Sequence, residues 1–236
     1  MTAARRYTAE CAGTALLLMV VVGSGIMAER LAAGNSAIAL LANAIATGCG
    51  LAVLILIFGP VSGAHFNPLV TLSEAWQKNL ASSEVLPYIA AQIAGAFAGV
   101  AAAHLMFSEP LFSASQHVRS GPAQWFSEFI AAFGLLTTII ACARHRPASA
   151  PFTIALYITS AYWFTSSTSF ANPAVTLARA ASNTFAGIRP QDTGGFILAQ
   201  LAGAAVATIW ASWLYAQPVR SASATDKDTF STTPSP

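Results

Sequence analysis

The most informative polar residues of the chain lie in two copies of one short pattern. The pattern N-P-x-V-T-L begins at Asn67 and again at Asn172. Asparagine is a strong helix N-cap, and proline suits the first helical position because its missing N–H is not needed there. Each copy therefore predicts the N-terminus of a short helix that cannot cross a bilayer alone. Two such helices in corresponding halves of an apolar chain indicate a transport site.

The composition places these two helices in a membrane protein. Of the 236 residues, 55% are hydrophobic and only 8% are charged, whereas a soluble domain carries about 25% charged residues. The net charge of +2 is too small to indicate a nucleic-acid partner. Cys11, Cys49 and Cys142 form no close pair, so we expect no disulfide framework, metal site or cofactor. The motifs G-x-S-x-G and H-E-x-x-H are absent, and we expect no enzymatic activity.

Apolar runs predict the elements that position the two short helices. Arg5 and Arg6 precede the first run, whose length and acidic Glu10 favour a membrane span over a cleaved signal peptide. Gly59-Pro60 is expected to end the second span. Spans are predicted at about 8–27, 36–58, 85–107, 123–143, 148–164 and 194–215, and the short helices at about 67–76 and 172–182. Residues 217–236, rich in Ser, Thr and Pro, are expected to form a disordered cytoplasmic tail.

The order of these elements repeats along the chain. Each half reads span, span, short helix, span, with an early glutamate (Glu10 or Glu128) and a later N-P-x-V-T-L. Three spans per half turn the second half over, which predicts an inverted repeat of about 8–107 and 123–216 within one membrane domain, 1–216. With both termini in the cytoplasm, seven Lys and Arg residues lie on the cytoplasmic side and four outside, a modest positive-inside bias.

Six spans, two Asn-Pro half-helices and the sequence Ser62-Gly63-Ala64-His65 before the first of them resemble the aquaporin and aquaglyceroporin family. The resemblance covers residues 8–216. It implies an all-α membrane protein with six transmembrane helices and two re-entrant half-helices, assembled as a homotetramer in the inner (plasma) membrane. It also implies a passive channel for small neutral solutes. The implied pore motif consists of Asn67, Pro68, Leu69, Asn172, Pro173 and Ala174.

The resemblance also implies how the pore residues act. In the family the half-helices meet N-terminus to N-terminus at mid-membrane, where their dipoles repel protons and cations. Asn67 and Asn172 would cap their helices through oxygen and donate N–H groups to a passing solute. Glu10 and Glu128 would brace the re-entrant loops. The alternative is a proton-coupled secondary transporter in which both glutamates relay protons. His65 would hold the same loop or line the pore.

The outer constriction departs from the family. Counting without gaps, the four filter positions fall on Thr47, Ser160, Ser169 and Val175, and most members have an arginine where this chain has Val175. Such a ring has no fixed charge and no aromatic group, which predicts a wide, arginine-free filter. The pattern looks like that of bacterial members associated with arsenic resistance. The expected solutes are water, glycerol-like polyols and arsenous acid or methylated arsenicals, although the ring would also suit urea.

Two residues leave alternatives open. Leu69 stands where the first motif usually has alanine, and it either packs between helices or projects into the pore. Arg179 follows Val175 by one helical turn and is predicted to line an outer vestibule, where snorkelling keeps its guanidinium wet. The alternatives for Arg179 are an ion pair with Asp192 or capping of the carbonyls at the C-terminus of its own helix.

Overall fold

The computed structural model describes residues 1–215, which form a bundle of α-helices without strands. The helices are α1 (Ala3–Leu31), α2 (Ser36–Ser62), α3 (Pro68–Trp76), α4 (Ser82–Phe107), α5 (Pro122–His145), α6 (Ala150–Phe164), α7 (Pro173–Arg179) and α8 (Thr193–Leu214). The prediction of an all-α fold with two short helices among long ones is confirmed. The predicted tail, 217–236, lies outside the described residues.

Five helical segments are long and apolar enough to cross a membrane, namely α1, α2, α4, α5 and the segment Pro190–Leu214 that contains α8. The remaining predicted span, α6, has 15 residues. At 1.5 Å per residue it is about 22 Å long, shorter than the roughly 30 Å of bilayer hydrocarbon. The 3-10 turn Pro147–Ser149 precedes α6, and residues 165–172 lead from its end into α7.

The second helix passes through the predicted stop at Gly59-Pro60 and ends at Ser62. Pro60 costs the helix one N–H donor, but it lies in the last turn, where little helix remains to be broken. The residue that ends the helix is Gly63, whose φ of 88° is left-handed and whose N–H donates to the Gly59 carbonyl. A left-handed glycine after the last helical residue is a common C-cap. In this sequence Gly63, and not Gly59-Pro60, therefore marks the end of the helix.

The two halves pack in the same way, because small residues let long helices approach closely. In the first half α1 packs on α2 and α4, and in the second half α5 packs on α6 and α8. A Cβ atom at Gly95 of α4 would lie 2.2 Å from the Cys11 carbonyl oxygen of α1, and one at Gly203 of α8 would lie 2.2 Å from the Phe129 carbonyl oxygen of α5. Each main helix pair therefore requires glycine at its crossing.

The two ends of the bundle can be identified from contacts between chain segments. At the terminal end, where α1 begins and α8 finishes, Arg6 pairs with Glu84 at 2.6 Å. At the opposite end Arg30 pairs with Glu109 at 2.8 Å. The short helices α3 and α7 begin beside each other in the middle of the molecule and run to different ends, α3 to the terminal end and α7 to the opposite end.

Candidate functional site

A cavity of about 310 Å³ runs along the middle of the bundle between the two halves. We call it the central cavity. At its terminal end it is lined by Glu74, Ala143, Pro147 and Ala150, in the middle by Asn67 and Asn172, and toward the opposite end by Thr47, Tyr162, Ser169, Phe170, Val175 and Arg179. Between these polar groups the wall is largely aliphatic, with residues such as Leu51, Leu135 and Ile158. The cavity therefore offers a few polar groups along an apolar path.

The two motif asparagines meet at the middle of this cavity. Asn67 Oδ1 accepts from the Leu69 N–H at 2.9 Å, and Asn172 Oδ1 accepts from the Ala174 N–H at 3.0 Å, so both cap their helices. Each Nδ2 donates one N–H across to the other half, from Asn67 to the Ala171 carbonyl and from Asn172 to the Phe66 carbonyl, both at 2.8 Å. An amide carries two N–H donors, so each asparagine keeps one for a molecule in the cavity.

The loops before the half-helices have a backbone that most residues avoid. Ala64 and Phe66 in the first loop have φ of 52° and 49°, and Ser169 and Ala171 in the second have 52° and 45°. A left-handed conformation costs a non-glycine residue about 1–2 kcal/mol. The same two positions before each asparagine bear this strain, so other interactions must hold both loops in place.

Two buried glutamates hold these loops. Glu10, fully buried, accepts from the backbone N–H groups of His65 at 3.0 Å and Phe66 at 2.7 Å. Glu128, also fully buried, accepts from those of Phe170 and Ala171, both at 2.9 Å. Each carboxylate additionally accepts a serine hydroxyl and a glutamine amide, from Ser62 and Gln92 in one half and Ser167 and Gln200 in the other. Neither glutamate lines the central cavity of the described chain.

His65 contacts the loop and also lines the central cavity, so its position is compatible with both alternatives from the sequence. Its backbone N–H donates to Glu10, and its ring Nδ1 lies 3.1 Å from the Thr71 hydroxyl, so it is part of the loop brace. The side chain also lines the central cavity between the terminal end and Asn67. The two roles are compatible, because the ring uses Nδ1 for the brace and leaves Nε2 available.

Three of the four predicted filter residues, Thr47, Ser169 and Val175, line the central cavity on the opposite-end side of the asparagines. Ser160 does not, and its prediction is wrong: its side chain is exposed on the outside of the bundle and donates to the Tyr157 carbonyl at 2.7 Å. The position facing the cavity is Tyr162, whose hydroxyl donates to Thr47 Oγ1 at 3.3 Å. At about 100° per residue, Ser160 and Tyr162 point to opposite sides of α6.

The expectation of a charge-free ring without aromatic groups is also wrong. Tyr162, Phe170 and Arg179 all line the same end of the cavity. Arg179 follows Val175 by one turn of α7 and therefore lies on the same face of that helix. Although position 175 is a valine, an arginine does line this end of the cavity.

Arg179 lines the cavity but differs from the predicted snorkelling side chain, because it is only 2% exposed. Its guanidinium carbon lies 3.4 Å from the ring centroid of Phe170, and its Nε donates to the Ala186 carbonyl. Asp192 instead pairs with Arg189 at 2.9 Å, so the alternative ion pair is also wrong. Nor does the side chain cap a carbonyl of its own helix within the described residues.

The residue that the sequence gave no reason to select is Arg119, in the loop between α4 and α5. Its Nε donates to the Gly187 carbonyl at 2.8 Å and its Nη1 to the Ser167 carbonyl at 3.1 Å, and its guanidinium lies 5.1 Å from the Phe170 centroid. Burial lowers the pKa of the Arg119 guanidinium, while the charge of Glu128 acts to raise it. A lone arginine in a polar loop resembles any exposed cation, so no sequence pattern indicates this position.

Leu69 is 1% exposed and does not line the central cavity. It packs with Ala131, Leu135 and Ala204 from α5 and α8. Of the two alternatives from the sequence, the geometry corresponds to packing between helices. The residue of α3 that faces the cavity beyond Asn67 is Val70, the counterpart of Val175 in the second motif.

Comparisons with known proteins agree with this architecture. The family model described as "Major intrinsic protein" matches residues 1–166. Aquaglyceroporin AqpS of Rhizobium meliloti (strain 1021) is 56% identical over 216 residues, which cover 92% of this chain and 92% of that protein. A glycerol uptake facilitator protein of Streptococcus pneumoniae (strain ATCC BAA-255 / R6) is 32% identical over 140 residues, covering 53% of this chain and 59% of that protein.

Among solved structures, the X-ray structure of the aquaglyceroporin from Plasmodium falciparum superposes with a TM-score of 0.67. The superposition covers 91% of this chain and 96% of the other at 19% sequence identity, so it is informative about the fold alone.

Proposed function

The chain belongs to the major intrinsic protein family, and on that premise we propose that it conducts solutes passively through its central cavity. Members of this family are channels and not enzymes, and the relatives make this chain an integral membrane channel for small neutral solutes such as glycerol. The observation that carries the proposed path is the single cavity that passes both motif asparagines and reaches from Glu74 to Arg179.

A neutral polyol fits the groups along this path. Asn67 and Asn172 each keep one N–H donor at the middle, and Thr47, Tyr162 and Ser169 supply hydroxyls toward the opposite end. The aliphatic wall between them suits the CH groups of glycerol, while the donors replace part of its hydration shell. A cation at the middle of the path, where two helix N-termini meet, would lose its hydration without compensation.

Passive conduction is favoured over proton coupling by what the two glutamates do. Glu10 and Glu128 each accept four hydrogen bonds from loop and helix groups, and within the described residues neither lines the central cavity. A relay requires a carboxyl group that can exchange its proton with the path. Carboxylates fully engaged in holding loops do not meet this requirement.

Arsenous acid and methylated arsenicals belong to the proposed solutes, together with water and glycerol. Arsenous acid is neutral at pH 7, similar in size to a polyol and covered with hydroxyl groups. The absence of arginine at position 175, where Val175 lines the cavity, supports this proposal, as does the resemblance to bacterial members associated with arsenic resistance. The reach of Arg179 into the same region argues for a constriction that is more polar than the sequence suggested.

We further propose a homotetramer in the inner membrane with both termini in the cytoplasm. The helix α2 presents Ile38, Leu41 and Ile45 on its outer side, with exposures of 55%, 47% and 50%. These positions share one face of a helix, and an exposed apolar face inside a membrane suits lipid or a second copy. The positive-inside bias of the sequence supports the orientation.

The test is a comparison of fluxes in one preparation of proteoliposomes containing the full chain. Stopped-flow light scattering follows water, glycerol and urea, and arsenic uptake is measured on the same vesicles. We expect glycerol and arsenous acid to cross at rates well above those of protein-free vesicles, and an imposed pH gradient not to drive accumulation. Fluxes equal to those of empty vesicles would contradict the channel, and accumulation driven by the gradient would contradict passivity.

A further inference from the structure

The opposite end of the central cavity contains a cation whose hydrogen-bonding capacity is not used. Arg179 is 2% exposed and lines the cavity, and its Nε donates to the Ala186 carbonyl. Within residues 1–215 its two terminal nitrogens have no hydrogen-bond partner, and neither is sealed away from the cavity. A guanidinium has five N–H donors, and the four on its terminal nitrogens remain for a ligand.

Ser169, in the loop that precedes α7, does not compete for this recognition surface. Its residue lines the cavity, but its hydroxyl oxygen is buried and has no accessible surface toward it. The side-chain donors open to a ligand at this place on the wall are therefore the terminal nitrogens of Arg179.

A second guanidinium adds to the positive charge there. Arg119 and Arg179 both lie against the ring of Phe170, at 5.1 Å and 3.4 Å from its centroid. The ion pairs within residues 1–215 involve Arg6, Arg30 and Arg189, so neither of these two arginines has a carboxylate partner. Asp192, the residue before α8, is already occupied by Arg189 and by the backbone N–H of Arg119. Glu128, whose charge also acts on Arg119, accepts its four hydrogen bonds from other groups.

We propose that this end of the cavity is a binding site for one small oxyanion, of the size of acetate or phosphate. The anion accepts hydrogen bonds from the Arg179 terminal nitrogens, while Arg119, held by the Gly187 and Ser167 carbonyls, adds a second positive charge. Guanidinium groups bind carboxylate and phosphate oxygens in paired, charge-assisted hydrogen bonds. This inference goes beyond conduction of neutral solutes.

The bound oxyanion occludes the cavity and does not pass through it. Beyond Val175 the path offers only one N–H from each motif asparagine within an aliphatic wall, with Val70 and Ile158 among its residues. A charge that leaves the two arginines for this stretch loses its partners and its hydration together. The anion therefore competes with neutral solutes for the opposite end of the path.

Isothermal titration calorimetry on the purified full chain in detergent tests binding without requiring transport. The titrant is inorganic phosphate at constant ionic strength, with sodium chloride as the blank titration. We expect saturable binding of about one phosphate per chain. Arg179→Gln should weaken this binding at least about tenfold, as expected for losing hydrogen bonds to a charged group. Arg179→Lys should weaken it by less than Arg179→Gln does, because an ammonium group keeps the charge but lacks the paired N–H donors of a guanidinium.

Arg30→Gln is the matched control, since Arg30 lies at the same end, is paired with Glu109 and does not line the cavity. It should bind phosphate like the unaltered chain. Because Arg179 also holds the Ala186 carbonyl, a misfolded Arg179→Gln leaves Arg179→Lys and Arg119→Gln to decide. Absent or non-saturable phosphate binding overturns the proposal, and so does equal weakening in Arg30→Gln, which would indicate non-specific ion association. A failure of flux in vesicles affects the proposed channel but not this result.

Discussion

Equivalent positions of the two half-helices carry opposite charges. Glu74 and Arg179 both follow their motif asparagine by seven residues, and both line the central cavity, at its terminal and opposite ends. The inverted repeat would make these ends alike, and this pair of residues is one difference between them. A polar solute in the cavity thus meets a carboxylate at one end and a guanidinium at the other.

Replacing Val175 tests how narrow the constriction is. Val175 is 5% exposed, lines the cavity and lies one turn before Arg179. We expect Val175→Arg to lower glycerol flux at least about tenfold and water flux by less, because a long cationic side chain fills a polar constriction that the larger solute needs. Stopped-flow measurement on vesicles with equal protein content checks this.

Val175→Leu is the control for added size without charge, and we expect it to lower glycerol flux by less than Val175→Arg does. An unchanged ratio of glycerol to water flux in Val175→Arg would contradict the placement of residue 175 on the solute path.

Leu69→Ala tests packing without touching the path. Leu69 is buried among residues of α5 and α8 and does not line the central cavity. We expect the variant to lose about 2–5 kcal/mol of stability through the vacancy left in the packing, with flux per folded molecule unchanged. Unfolding in detergent measures the loss of stability, and stopped-flow light scattering measures the flux. A rise in glycerol flux with unaltered stability would contradict the packing role.

At the scale of elements, strained loops and their glutamate braces form one unit in each half. Left-handed backbone at Ser169 and Ala171 lets Phe170 and Ala171 direct their N–H groups at Glu128. The side-chain amide of Gln200 donates to the Glu128 carboxylate at 2.6 Å and to the Thr176 hydroxyl at 2.9 Å, which connects the brace to α7. The carboxylate thus fixes the loop, the half-helix and α8 relative to one another.

Glu128→Gln removes the charge from this brace while keeping its shape. Hydrogen bonds to charged groups contribute about 1.5–3 kcal/mol each, and the new amide would place its NH₂ against N–H donors. We expect a loss of at least about 3 kcal/mol of stability together with a large fall in glycerol flux. Thermal unfolding and flux on one preparation measure both. Unaltered stability with a changed response to a pH gradient would favour the proton relay instead.

Elements that follow from local rules could be predicted from the sequence, and those set by loop geometry could not. The Asn-Pro starts of α3 and α7 are local capping signals, and they fixed both short helices. The facing of Ser160 and Tyr162 does not follow from counting back from the second motif, because the loop between α6 and α7 has no regular period that would connect the two helices. Arg119 reaches the site from a distant loop, through contacts that no neighbouring residue indicates.

At the scale of the whole molecule, contacts place Lys78 at the end where α1 begins and α8 finishes, and Gln116 at the other end of the bundle. Both residues are exposed. In a chain whose native cysteines, Cys11, Cys49 and Cys142, are replaced by alanine, we expect Lys78→Cys and Gln116→Cys to react with an impermeant maleimide from different sides of intact vesicles. Labelling from the same side would contradict the predicted number of crossings. Flux of the cysteine-free chain controls for its folding.

The crossed hydrogen bonds at the middle of the molecule also constrain its synthesis. The Asn67 amide donates to a carbonyl 104 residues later, and the Asn172 amide donates back to one 106 residues earlier. While the ribosome is still making the second half, the first half holds an open carbonyl at Phe66 and an unpaired amide at Asn67. The centre of the cavity therefore forms only after residue 172 has been synthesised, and a nascent chain that stops earlier leaves both crossed hydrogen bonds unmade.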